Sequence, residues 1–454
     1  MALALAALSV TGCGSSSRPS SVHFVSRPDL QPPPVDVRAR AGGQAPGYIF
    51  IAPKGHVAQA GPLILDDAGH VVWFRPLDTR GVTDFRVQRY DGRPVLTWWR
   101  GSATHKPGTG GYTIADASYR TVATVTPGHG LPGDIHEFSI TPRDTAWLTI
   151  FHRVDVHGAP VLEGVVQELD IATRRVLFEW HSIRHVALGE SYAERPPKRS
   201  TPYDYFHVNS IDVEPDGNLL VSARNTHAVY ELDRRSGRIL WRLGGKRSDF
   251  TFGRGARFAW QHDARRLPNG TISLFDNEAA PEAGPQSRGI VLRLDMRRMR
   301  ATLVRTFVHH PPLVAVDQGN MQHLPDGHFL IGWGHQPWYT EYSPSGRVLL
   351  DARFGSDDDS YRAYRFTWAG RPSTRPAVAT HGDTAYVSWN GATSVARWRL
   401  LVGSAADDLR AVRTVRKHAF ETRLALPAGW RYVAVEALDA HGRLLRVSTT
   451  LRDR

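Results

Sequence analysis

One cysteine, Cys13, is all the thiol that 454 residues hold. That excludes a disulfide within the chain and any metal site built on several thiolates. No run of five or more lysines and arginines occurs, so the net charge of +12 is spread along the chain and is not gathered into a nucleic-acid-binding stretch. A glycine-rich loop of the phosphate-cradling kind is also missing. So is any apolar run long enough to cross a bilayer, and so are long stretches with helical periodicity. What the chain does have is 41 glycines, 30 prolines and many short alternating apolar runs. These are the materials of turns and strands, and the expected class is all-β.

The surroundings of the lone cysteine are informative. The apolar stretch Ala2 to Val10 leads into Thr11-Gly12-Cys13 and then Gly14-Ser15-Ser16-Ser17. This pattern resembles a bacterial lipobox, where a signal segment is cut before a cysteine that becomes lipidated. The expectation is a lipoprotein-type signal segment over 1–13 and a flexible tether over 14–45, rich in Ser, Pro, Arg and Gly. A lipid on Cys13 would hold the protein at the outer face of the bacterial cytoplasmic membrane, an extracytoplasmic location.

From Gly47 a hairpin with a polar turn recurs: Tyr90-Asp91-Gly92, Pro142-Arg143-Asp144, Pro215-Asp216-Gly217, Pro268-Asn269-Gly270 and Pro325-Asp326-Gly327. Their third positions lie 52, 73, 53 and 57 residues apart, and the long interval carries the loop His185 to Asp204. A second hairpin follows each first one, as in Val229 to Trp241 and Tyr339 to Leu350. Two hairpins per period make four strands, which is one propeller blade. Five complete blades lie between about 82 and 355. The orphan hairpin Leu63 to Phe74 needs a partner, and Tyr361 to Trp368 supplies the missing strand. Joining both ends of the domain in one blade leaves no open edge. The predicted architecture is a six-bladed β-propeller over 46–370. After Arg371 the strands Thr384 to Trp389, Val395 to Leu400 and Tyr432 to Ala437 predict a small C-terminal β-sandwich, fibronectin type III-like, over 371–454.

Four histidines stand at related places in the repeats. His136 lies six residues before its turn proline, His207 eight, His262 six and His323 two, and Asn209 also falls at six. Strand side chains alternate faces with period two, so even offsets put these residues on one face, barring a bulge. Strands that open propeller blades line the central axis. The polar flanks of His207 (His-x-Asn-Ser) and His262 (Gln-His-Asp-x-Arg) suit such a lining. Taken singly, a histidine on a strand is commonly a hydrogen-bonded structural residue. Arg224, His227 and His335 lie within reach of the same mouth. A cluster of imidazoles either binds a metal or acts as nucleophile and base toward a sulfuryl or phosphoryl centre. No His-x-His or His-Glu-x-x-His occurs, no carboxylate stands in an obvious ligand register, and neither a metal nor another cofactor is assigned.

Six motifs in order, from Pro46-Gly47-Tyr48-Ile49-Phe50-Ile51-Ala52-Pro53 through Phe206-His207-Val208-Asn209-Ser210-Ile211, Trp241-Arg242-Leu243-Gly244-Gly245-Lys246, Gln261-His262-Asp263-Ala264-Arg265 and Leu274-Phe275-Asp276-Asn277 to Ile331-Gly332-Trp333-Gly334, resemble the arylsulfotransferase (ASST) superfamily. They most resemble its secreted actinobacterial and fungal branch. The resemblance implies a six-bladed propeller that moves a sulfuryl group from an aryl sulfate, not from the nucleotide PAPS, to a phenol through a sulfohistidine. It implies that His207 and His262 fill the His-x-Asn and Gln-His motifs and that Arg265 or Arg288 is the charge-stabilising cation. It makes His323, from a later blade, the nearest match for the nucleophile. His136, Asn209, Arg224, His227 and His335 are the expected substrate-binding residues.

The expected partners are therefore a small aryl sulfate, a phenol and a membrane reached through the lipid, with no nucleic acid. Two other readings use the same features. One is a non-catalytic surface propeller that binds a glycan or aromatic ligand on Trp98, Trp99, Trp333 and Trp338. The other is a metal-dependent lyase or hydrolase built on the same histidines.

Overall fold

The computed structural model describes residues 21–79, 81–102, 108–198, 200–279, 282–355 and 358–453. Cys13 and the whole 1–13 segment lie outside the described residues. Among the described residues there is no α-helix, only two short 3-10 turns at Ser182–Arg184 and Leu188–Glu190. No helix among the described residues is long and apolar enough to cross a membrane.

Six sheets carry the bulk of the chain, each with a core of four antiparallel strands, to which the third, fifth and sixth add a fifth strand. The second sheet joins Gly81–Tyr90, Arg93–Ser102, Thr109–Ala115 and Thr121–Val125. The third joins Phe138–Ile140, Thr145–Val156, Ala159–Asp170 and Val176–His181. The fourth runs over Val208–Val213, Leu219–Ala223, Ala228–Leu232 and Ile239–Gly244. The fifth uses His262–Arg266, Ile272–Asp276, Arg288–Asp295 and Arg300–Phe307, and the sixth Asn320–His323, Phe329–Gly332, Trp338–Tyr342 and Val348–Phe354. The first sheet is made from both ends: Ala363–Phe366 pairs antiparallel with Tyr48–Ile51, which continues to Leu63–Leu65 and Val71–Phe74.

The turn prolines and glycines explain the repeat. In the fourth, fifth and sixth sheets proline fixes the backbone at the second turn position. Gly217, Gly270 and Gly327 close the turn at φ +88°, +80° and +85°, each donating its N–H to the residue three before it. Asp144 takes the same left-handed place in the third sheet, at φ 57°.

The leading strands touch in chain order. Ala363–Phe366 meets Gly81–Tyr90, which meets Phe138–Ile140. Thr145–Val156 meets Val208–Val213, followed by His262–Arg266, Asn320–His323 and Ala363–Phe366 again. The arrangement is β-propeller-like. Apolar clusters fill the gaps between neighbouring sheets, for example Trp147, Val166 and Trp180 against Val208, Val221 and Tyr230.

Part of the expected tether is packed. Leu30 is 1% exposed and Phe24 rests 4.2 Å from the Phe420 ring. Val35–Arg40 adds a fifth strand to the outer edge of the sixth sheet. The Ser26 N–H and hydroxyl both donate to Glu421 at 2.6 Å. Val35-Asp36-Val37 alternates as a strand does, and the open edge of Val348–Phe354 offers it a partner.

Beyond Arg371, two further sheets face each other. One holds Ala377–His381, Thr384–Ser388 and Glu421–Ala425. The other holds Arg397–Ala405, Asp408–Arg416, Tyr432–Leu438, Leu444–Val447 and Leu451–Arg452. Val387, Trp398, Leu400, Leu424 and Val435 fill the space between them. The Asn390 side chain caps the edge of the first sheet, accepting from Phe74 N at 3.0 Å and donating to Phe74 O at 2.8 Å.

Candidate active site

Each of the six sheets contributes to one buried network on the axis. Arg362 donates to Asp84 (3.0 Å), Glu137 (3.3 Å) and the carbonyl of Asn209 (2.9 Å). Arg265 bonds Glu137, Asp263 and the carbonyl of Ile211, and Arg86 bonds Glu137. Asp263 accepts from Met321 N at 3.2 Å. Three guanidinium groups thus face three carboxylates. Burial alone would raise the Glu137 carboxyl, but Arg265, Arg362 and Arg86 hold it far below its ordinary value. These ion pairs are buried where the leading strands meet. Arg265, predicted as a catalytic cation, is committed to the network.

The histidines lie beside this network. His136 and His207 rings meet edge to face, 5.0 Å apart. Phe151 lies 5.2 Å from the first and 5.1 Å from the second, and Tyr361 5.4 Å from His136. A carboxylate just upstream holds each ring: Asp134 sits 2.6 Å from Nδ1 of His136, and Asp204 2.6 Å from Nδ1 of His207. A carboxylate accepts only, so Nδ1 carries the proton and Nε2 keeps its lone pair in the neutral ring.

His262 is 1% exposed, and its Nδ1 lies 2.7 Å from Asn277 Oδ1. The Asn277 Nδ2 donates to the carbonyls of Ala315 and Gln318, 3.0 Å each. Its oxygen is therefore turned to the imidazole, which must donate from Nδ1 and present Nε2 as a base. Burial, then the charge of Arg224, push His262 well below the ordinary histidine value, and His207 and His136 bear on it in the same direction. His262 is a neutral, tautomer-fixed imidazole.

Arg224 supplies the cation. Its backbone N–H donates to the His207 carbonyl at 2.9 Å, its guanidinium lies 4.8 Å over the Trp260 ring, and Nη2 reaches the Val316 carbonyl. His227 stacks on Tyr192 at 4.0 Å and touches Trp260 edge-on at 4.3 Å. Burial, then Arg224 and Lys246, push its imidazole down to about 3. His335, exposed at the rim, donates its backbone N–H to the carbonyl of Asp317, whose charge acts on Arg224.

The structure thus unites His136, His207, His262, Arg224 and His227, and it leaves others out. His323 ends its strand beside the turn at Asp326, with Phe329 as its ring neighbour at 5.0 Å. It stands three residues, about 10 Å, from the Asn320 end. Strand parity does not extend across the set: His136 and His207 lie ahead of their strands, register shifts interrupt the pairing at Val208/Ser210 and His262/Arg265, and His207 and Asp263 both sit at φ 58°. Arg288 is held by Asp276 and Glu278 at 2.9 and 2.7 Å. Asn209 is fully buried and donates to the Gln261 carbonyl, which ties its strand to the next sheet. Gln261 in turn clamps Ser222, Ala223 and Ala228. Trp98, Trp99 and Trp333 are core residues, which removes most of the platform the ligand-binding alternative needed. Asp134, Asp204, Asn277, Phe151, Trp260 and Tyr361 were missed. An aspartate two or three residues before a histidine was the available signal.

Residues 86–355 match the model of the family described as Arylsulfotransferase (ASST). The chain belongs to the arylsulfotransferase family. The matched span includes His136, His207, Arg224 and His262, and membership supports aryl sulfotransferase-like function at family level. Among curated proteins no sequence matches this arylsulfotransferase family member. Similar solved structures include a protein of unknown function from Bacteroides caccae, 14% identical, covering 70% of this chain and 98% of its own, with TM-score 0.42. Another is a catalytically inactive virginiamycin B lyase from Staphylococcus aureus with quinupristin, 10% identical, covering 79% and 96%, TM-score 0.36. A third is Kuenenia stuttgartiensis hydrazine synthase, 15% identical, covering 70% and 68%, TM-score 0.29. Likenesses this distant carry no argument about function.

Proposed function

We propose that this arylsulfotransferase family member moves a sulfuryl group from an aryl sulfate to a phenol, without PAPS, through His262. The observation that carries the reading is a neutral His262, fixed as the Nδ1–H tautomer by Asn277, in one cluster with two aspartate-held imidazoles and Arg224. In the first step Nε2 of His262 attacks sulfur, the S–O bond to the aryl group breaks, and the phenoxide takes the Nε2 proton of whichever of His207 and His136 is doubly protonated, leaving that ring neutral with its Nδ1–H still on the aspartate. The Nδ1–H to Asn277 steadies the positive charge that forms on the ring. In the second step the same base takes the proton of the incoming phenol, whose oxygen attacks sulfur as the N–S bond breaks. Such transfers have loose transition states, and Arg224 provides the positive charge the sulfuryl oxygens need. Phe151, Tyr361 and Trp260 form aromatic walls for the phenol.

The scaffold under this reading is a six-bladed propeller over 46–370 with a sandwich module over 371–454. Lipidation of Cys13 would hold this scaffold at the outer face of the bacterial cytoplasmic membrane.

Incubation with 4-nitrophenyl sulfate and peptide mass mapping tests the mechanism. One sulfuryl group on the peptide carrying His262, discharged by added phenol without metal, is the expected result. A sulfuryl group on another histidine, or turnover undiminished in His262→Gln, overturns it.

A further inference from the structure

A second histidine cluster lies on the third sheet, turned away from the axial site. His152, Glu163 and His181 belong to three adjacent strands. Glu163 pairs directly opposite His152, and His181 pairs opposite Val165, two residues on. Period-two alternation puts all three on one face. Phe151, one residue before His152, faces the other way, toward the rings of His136 and His207.

Nδ1 of His152 and Nδ1 of His181 each lie 2.9 Å from the same Glu163 oxygen. Donor atoms of the three residues all fall within 4.8 Å of one another. The other Glu163 oxygen is buried and has no hydrogen-bond partner among the described residues. Nε2 of His181 meets Glu179 Oε1 at 3.1 Å. Glu179 is itself oriented by Gln167 (2.7 Å) and His129 (2.9 Å).

We infer that His152, Glu163 and His181 bind a first-row divalent cation of the zinc class. With only protein groups present, His181 has carboxylate oxygens at both ring nitrogens and needs two protons to satisfy them. A cation at Nδ1 removes that demand: Nδ1 gives its lone pair to the metal and Nε2–H donates to Glu179. That is the carboxylate–histidine–metal relay that orients ligating imidazoles. Two imidazoles and one carboxylate are the donor set of a zinc site with an open fourth position. Tetrahedral ligands at about 2.0–2.1 Å stand about 3.3 Å apart, so the 2.9 Å contacts need to open by only a few tenths of an ångström. The His152 side chain, 36% exposed, lies on the solvent side where an ion enters. The site is independent of sulfuryl transfer, and its ion would brace the back of the strand whose front carries Phe151.

Untagged full-length protein, stripped by chelator and dialysed, is titrated with Zn²⁺ against a chromophoric chelator and separately with Co²⁺. The expected result is one tight equivalent of Zn²⁺, a tetrahedral Co²⁺ absorption band, and a rise in melting temperature with Zn²⁺. Glu163→Gln and His152→Ala should each weaken binding by about 100-fold or more, and Glu179→Gln by about 10–100-fold. Should Glu163→Gln not fold, the partly exposed His152→Ala decides alone. Absence of saturable Zn²⁺ binding by the wild type, or the same affinity in His152→Ala, overturns the assignment.

Discussion

Glu137→Gln is the sharpest probe of the axial network, because it removes one charge and almost no volume. The side chain is 0% exposed and faces Arg86, Arg265 and Arg362. The substitution leaves three guanidinium groups against two carboxylates, Asp84 and Asp263. Removing one partner of a buried ion pair costs about 3–5 kcal/mol, because a charge is left uncompensated out of water. For a unit of this size each kcal/mol moves the melting temperature by about 2 °C, so a fall of roughly 6–10 °C is expected. Asp295→Asn, which breaks a pair whose arginine is 80% exposed, is the control and should shift melting by no more than about 2 °C. Combining Glu137→Gln with Arg362→Met restores charge balance, so the double variant should lose less than the sum of the singles. Differential scanning fluorimetry at fixed salt reads all four. A Glu137→Gln shift as small as that of Asp295→Asn, or strict additivity, refutes the view that the network is held by mutually compensating buried charge.

His262→Gln should lower sulfuryl transfer by at least about 10³-fold with melting temperature retained, whereas His323→Ala should stay within about threefold; steady-state kinetics with 4-nitrophenyl sulfate compares them. His262 is neutral well below pH 6.5 because burial and Arg224 disfavour its protonated form, so its protonation should not limit the rate until distinctly acidic pH. Arg224→Gln removes the second cause, and any acid limb set by His262 should move to higher pH; a limb unmoved in the pH–rate profile refutes the coupling. His227 titrates at about 3 folded against 6.5 unfolded, so the unfolded chain binds the extra proton between those values. The favourable contribution is complete above about pH 6.5 and fades as pH falls toward 3, by at most about 5 kcal/mol. His227→Phe, which keeps the stack on Tyr192, should flatten that part of the pH–melting curve.

Much of the fold was legible because it rests on local chemistry. Turn prolines and left-handed glycines recur at fixed places, alternation marks the strands, and the orphan hairpin Leu63 to Phe74 called for the strand that Ala363–Phe366 provides. The packing of residues 21–45 was less legible, since a proline-rich stretch reads as a tether until an open sheet edge accepts its six-residue strand.

The site divides in the same way. The amino-acid order alone determined which imidazoles stand at the leading strands, His262 and His323 on them and His136 and His207 just ahead of them, because period and turn spacing are properties of neighbours in the chain. It singled out His207 and His262, and it placed Arg224 within reach. Only the tertiary structure decided which side chains meet. His207 lies just ahead of its strand at positive φ and a register shift follows His262, so strand parity could not rank His323 against them. Arg265 and Arg288 look like free cations along the chain, but carboxylates from distant strands claim both. Charge pairing is settled by through-space distance, and that is fixed only once the six sheets come together.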